Sequence, residues 1–143
     1  MEARKKTMPT QDSLSKEKLR LWLKLLKLTH GVEAELRRRL REGHDTTLPR
    51  FDVMAALARH PEGLRMSELS RYLRVSNGNV TGIVDRLTEE GLALRIAVPG
   101  DRRAQVARLT PEGMRAFDTL ATAHEDWIDE LLGAFDAAEI DTM

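Results

Sequence analysis

The chain has 143 residues, of which 41% are hydrophobic and 32% charged, with no cysteine and a formal net charge of zero. That balance describes one soluble globular protomer long enough to bury a core, and it excludes a disulfide framework and thiolate metal ligation. No apolar run approaches the roughly 18 residues of a membrane span, and no apolar signal segment follows the polar N-terminus, which predicts a cytoplasmic chain with no membrane partner.

The zero conceals an asymmetry. Residues 1–42 carry net +6, residues 43–64 net −1, residues 65–109 net +3 and residues 110–143 net −8. A near-neutral protein can therefore still present a basic face to a polyanion.

In chain order, residues 1–12 are polar, contain Pro9 and lack periodicity, which predicts a disordered arm. Residues 13–47 then hold a long helix, capped by Ser13 or Ser15 and ended by Gly43. Leu14, Leu21, Leu25, Leu28, Val32, Leu36 and Leu40 form one stripe on it; Leu19, Trp22, Leu23 and Leu26 form a second. A helix apolar on so much of its circumference is buried on two sides, and the second side implies a partner subunit. A helix follows over Leu48–His60 and breaks at Pro61-Glu62-Gly63. Leu64-Arg65-Met66 is a short extended piece, and Ser67 starts the next helix with Glu68 in its first turn.

"VSNGNVTGIVDRL" (75–87) carries an Asn-Gly turn signal, yet Val80, Ile83, Val84 and Leu87 recur at helical spacing. Ser76 is a natural N-cap for a helix there, and Gly91 a natural stop. At 100° per residue, Gly78 and Gly82 fall on the face opposite the apolar one, flanked by Asn79, Arg86, Thr81 and Asp85. Leu92–Val98 and Ala104–Leu109 alternate as two strands around a Pro99-Gly100-Asp101 turn. Thr110-Pro111-Glu112 starts a long helix, and Asp136 is placed to cap a last one at Ala137. The chain ends there, which predicts a truncated final helix.

Two short helices joined at "YLRVSNGN" have the layout of a helix-turn-helix, which places its second helix in the DNA major groove. The hairpin after it is a wing whose tip, Asp101-Arg102-Arg103, supplies guanidinium groups suited to a narrow minor groove. The pieces "SELSRYLRVSNGNVTGIVDRLTEEGL" (67–92) and "DRRAQVARLTPEG" (101–113) resemble the MarR family of bacterial winged-helix regulators, over roughly Leu48–Gly113. The resemblance implies a mainly α fold: a winged helix-turn-helix lobe with a two-stranded wing over residues 48–110, and dimerisation helices over 13–47 and 111–143. It implies a homodimer on a pseudo-palindromic double-stranded DNA operator, most often as a repressor, released by a small anionic or aromatic effector. Ser67, Ser76, Asn77, Asn79, Thr81, Arg86 and Arg103, with Arg102 beside it, match DNA-contacting positions, and Asp101 matches the acid that pairs with the wing arginine; Gly78 and Gly82, from their place on the outer face, let the backbone approach the DNA closely. Gly82 departs from the basic or larger polar side chain of many members. For Ser67 the alternative is a plain cap, and for Asp101 a turn former.

Without cysteine, redox sensing is excluded and ligand binding remains. Trp22, Leu26, His30, Arg50, Phe51, Met54, His124 and Trp127 are the effector-pocket candidates, with Arg50 or His44 available for an acid. For each, a core or dimer-interface role is the alternative. The "SNGNVTG" wording resembles members that answer to aromatic acids or their CoA thioesters in aromatic catabolism. Dispersed histidines, and the absence of a phosphate loop or a Gly-Xaa-Ser-Xaa-Gly elbow, argue against an enzyme, and no cofactor is implied. The competing readings are a zinc-responsive regulator built on His and carboxylates and a protein-interaction module without DNA.

Overall fold

A computed structural model describes residues 11–73 and 77–142 of the chain. The elements are α1 (Gln11–His44), α2 (Leu48–Ala58), β1 (Leu64–Arg65), α3 (Met66–Leu73), α4 (Asn77–Glu89), β2 (Ala93–Val98), β3 (Asp101–Leu109), α5 (Pro111–Leu131) and α6 (Ala137–Thr142). No helix among the described residues is long and apolar enough to cross a membrane. The chain forms two compact units, divided between Glu35 and Leu36.

In the first unit, residues 11–35 lie on α1. Gln11 and Asp12, expected in the arm, are helical, and Asp12 pairs with Lys16 one turn on at 3.7 Å. Ser15 is not an N-cap: its hydroxyl donates back to the Gln11 carbonyl at 2.9 Å. Both apolar stripes are present on this segment, and Leu19, Leu21, Trp22, Leu23, Leu25 and Leu28 are all exposed.

In the second unit, α1 runs past Gly43 to His44, and Asp45 takes the positive φ (48°) expected of a glycine stop. Aspartate tolerates that region better than most side chains. Helix α2 is capped by Thr47, with the Arg50 amide donating to Thr47 Oγ1 at 3.3 Å. The core is one cluster built from Leu40, five residues of α2, Leu64, Leu69, Val80, Val84, Leu87, Ala93, Ala107 and Leu120. Helix α4 forms despite its glycines because Val80, Val84 and Leu87 are fully buried. At about 1.5–3 kcal/mol each, they outweigh about 1 kcal/mol per glycine.

The sheet has three antiparallel strands in the order β1-β3-β2, the two wing strands being joined by the short extended piece. Leu64 pairs with Ala107 and Arg65 with Val106, so the short extended piece anchors the base of the wing. The turn is Pro99-Gly100 alone, with Gly100 at φ +84°; Asp101 already belongs to β3 and pairs with Val98. Because Ala97 pairs with Gln105, the register slips, and Arg102, Arg103 and Ala104 stand without opposite numbers on β2.

Candidate nucleic-acid interface and adjoining cavity

Helix α4 turns Val80, Val84 and Leu87 inward and leaves Asn79, Thr81, Gly82, Asp85 and Arg86 exposed. A Cβ at Gly82 would meet nothing within 4 Å, so its outer side is open space. Ser76, and the side chains at positions 77, 78 and 102, lie outside the described residues. The helix is tied at two points. Arg95 of β2 holds Asp85, its Nη2 lying 2.6 Å from Oδ1 as a charge contact without hydrogen-bond alignment. Arg50 of α2 pairs with Glu90, just past the end of α4.

Ser67 lies inside the first turn of α3 rather than at its cap. The capping contact runs instead from the Arg65 amide to Glu68 Oε1 at 3.0 Å, which leaves the exposed Ser67 hydroxyl outside the capping contact. At the wing, Asp101 Oδ1 accepts from the Arg103 backbone amide at 3.0 Å. The expected contact was to the guanidinium; here the acid shapes the bulge that carries the exposed Arg103. Ser67 and Arg103 meet at one cleft of about 360 Å³, whose wall also includes Arg65 and Gln105. Two arginines and a serine in one cleft can receive a phosphate, with the Asp101 carboxylate in the same wall.

A second cavity, of about 310 Å³, lies among the end of α1, α2 and α5, with His44, Thr46, Arg50, Met54 and Leu120 in its wall. Thr46 Oγ1 is buried without a hydrogen-bond partner among the described residues. Of the pocket candidates, only Arg50 and Met54, with the reserve residue His44, line this space. Phe51 stacks on His124 (centroids 4.7 Å apart) and on Phe117 (5.7 Å), a ring column inside the core. Burial lowers the pKa of His124 below the usual 6.5, which favours a neutral ring in that column. Trp127 meets His44 edge-on at 5.6 Å. Trp22, Leu26 and His30 belong to the other unit, where Trp22 is 56% exposed. Among the described residues no group of three or more His, Asp or Glu side chains is placed to hold a metal ion.

The MarR family profile matches residues 44–104, from the end of α1 to the wing. The crystal structure of a MarR family transcriptional regulator from Silicibacter pomeroyi is 36% identical to this chain, covering 90% of it and 88% of the other, with a TM-score of 0.72. The chain belongs to the MarR family. MarR proteins are transcriptional regulators, not enzymes. The transcriptional activatory protein BadR of Rhodopseudomonas palustris is 29% identical over 115 residues, 78% of this chain but only 61% of BadR. The chain thus spans less than two thirds of that relative. The MarR protein Sco3205 of Streptomyces coelicolor, solved in complex with DNA, shares the fold at 23% identity and a TM-score of 0.77, covering 93% of this chain and 84% of that one.

Within this MarR lobe, sequence reading missed Arg65, Arg95, Glu90 and Thr46. The first three pair or converge with residues 3 to 40 positions away, and only the fold brings such groups together. Nothing in the sequence marks the Thr46 hydroxyl as buried.

Proposed function

We propose that the protein is a ligand-responsive regulator that binds a pseudo-palindromic double-stranded DNA operator as a homodimer and acts as a repressor. Helix α4 enters the major groove through Asn79, Thr81 and Arg86, with Gly82 letting the backbone approach the bases. The wing reaches the neighbouring minor groove through Arg103. The observation that carries this reading is the convergence of Ser67, Arg65 and Arg103 on one cleft beside the wing. Sco3205, solved with DNA, supports it by fold. The exposed apolar stripes of residues 11–35 support the dimer, because a contiguous apolar surface of that kind marks an association site. On this reading residues 13–47 and residues 111–143 each supply contacts to the second copy.

The effector belongs in the α2–α5 cavity. Its volume lies at the lower end for small-molecule sites. That size fits the ring and carboxylate of a small aromatic acid, with Arg50 as the counter-ion; the nucleotide part of a CoA thioester would have to lie outside. This favours the acid over the thioester, and over a zinc ion, for which the described residues offer no ligand cluster.

The test is a gel-shift titration on DNA selected from random sequence with the wild-type protein. Asn79→Ala with Arg103→Ala is expected to weaken operator binding by roughly 2–5 kcal/mol, since each base-edge contact is worth about 1–3 kcal/mol. Unchanged affinity would remove α4 and the wing as the interface. A reporter driven from the selected site reads the sign of regulation: rising expression on deletion of the protein means repression.

A further inference from the structure

We propose that the Arg50–Glu90 ion pair is the switch through which an aromatic carboxylate in the α2–α5 cavity loosens the recognition helix; this rests on reading that cavity as the effector site. Two claims fall on one guanidinium. Arg50 is part of the cavity wall, and its Nη2 is engaged by Glu90 Oε2. Glu90 is attached directly to the last turn of α4, its amide donating to the Arg86 carbonyl at 3.0 Å. Arg50 is fixed in the first turn of α2 by the Thr47 cap. The pair therefore ties the C-terminal end of the DNA-reading helix to the wall of the ligand space.

The two partners are held unequally. The Arg50 side chain is 21% exposed and that of Glu90 50%. The arginine is set in the wall, whereas the glutamate reaches it from the solvent side. A carboxylate arriving from the cavity offers Arg50 the same planar, bidentate geometry. The nitrogen that serves Glu90 cannot serve both acids at full strength, so the ligand's contact grows as the Glu90 contact is lost. The Asp85–Arg95 contact involves neither partner of the exchange. What loosens is the outer side of the last turn of α4, with Arg86 and the following Glu90, while Leu87 stays in the core. DNA favours the tied helix and the ligand favours the untied one, which is the differential affinity that coupling requires. A half-exposed pair is a weak tie, so the expected coupling is about threefold to fivefold per protomer.

The experiment compares wild type with Glu90→Gln in full-length protein, using benzoate as probe, benzyl alcohol as neutral control and the selected operator. Matched thermal melts check that the half-exposed substitution leaves the fold intact. Without ligand, Glu90→Gln is expected to bind operator about tenfold to twenty-fivefold more weakly, the per-protomer factor acting in both halves of the dimer. That direction is diagnostic, because removing a negative charge would by long-range electrostatics alone strengthen DNA binding. Benzoate is expected to bind the variant more tightly than wild type and to weaken its operator binding less, with benzyl alcohol inert on both. Unchanged or raised operator affinity in Glu90→Gln overturns the switch, whatever benzoate does. Equal benzoate affinity in the two proteins also overturns it. If benzoate leaves wild type untouched while Glu90→Gln still weakens the operator complex, the cavity reading is what fails. The pair is then a positioning contact for α4 and not a ligand switch.

Discussion

Leu25→Asp with Leu28→Asp is expected to yield a monomer in sedimentation equilibrium and to lower operator affinity at least about a hundredfold. Leu25 is 48% and Leu28 53% exposed, and Leu21 and Trp22 beside them exceed half. Burying each such side chain against a second copy contributes about 1.5–3 kcal/mol. Two aspartates in that seam remove this contribution and leave desolvated carboxylates without partners. The effect on DNA is larger than the effect on any single contact. In a dimer the second recognition helix binds at high effective concentration once the first has docked, and a monomer forfeits that gain. The lobe itself contains neither substitution, so its melting transition remains. A variant that stays dimeric would show that the stripe on α1 is not the interface.

Gly113→Ala is expected to lower the melting temperature by roughly 10 °C, given about 1–3 kcal/mol or more for overpacking and a few degrees per kcal/mol at this chain length. A Cβ at Gly113 would stand 1.9 Å from the Leu92 carbonyl oxygen and 2.9 Å from its carbon. Both are backbone atoms, and neither can swing aside. The start of α5 is pinned there by three contacts. The Thr110 amide donates to the Leu92 carbonyl at 3.0 Å, the Thr110 hydroxyl donates to the Gly91 carbonyl at 2.7 Å, and the Gly113 amide donates to Thr110 Oγ1 at 3.0 Å. Relief requires that α5 shift off β2, which opens the side of the core holding Leu120. The same change at Gly82, with open space around it, serves as the control and is expected to raise stability by up to about 1 kcal/mol. A Gly113→Ala protein melting with wild type would contradict this account of the α5 junction.

Sequence pattern was sufficient wherever the physics is local. The buried face of α4 follows from the spacing of Val80, Val84 and Leu87, and the caps at Thr47 and Thr110 follow from single residues that satisfy orphan amides. It failed where a conformation or a contact is decided at a distance. Gly43 looked like the stop of α1, yet Asp45 carries the positive φ, and the helix continues through the glycine. The wing was read as two strands with a three-residue turn. The short extended piece at Leu64–Arg65 is legible, but nothing in two residues says that it pairs with β3, and the register slip that frees Arg102–Ala104 depends on how β3 meets β2. Among the pocket candidates, Phe51 and the part-buried His124 stack on each other, whereas Arg50 and Met54 line the cavity. Aromatic residues on amphipathic helices cannot be sorted between these fates until the helices are packed.

Hydroxyl-radical footprinting of the wild-type protein on a selected operator tests the proposed interface most directly. Two symmetric blocks of protection, centred about 10 base pairs apart, are expected where the α4 helices of a dimer occupy successive major grooves. Weaker protection is expected in the flanking minor grooves, and lost on Arg103→Ala. A single unsymmetrical block, or protection indifferent to Arg103, would contradict docking of a dimer through α4 and the wing.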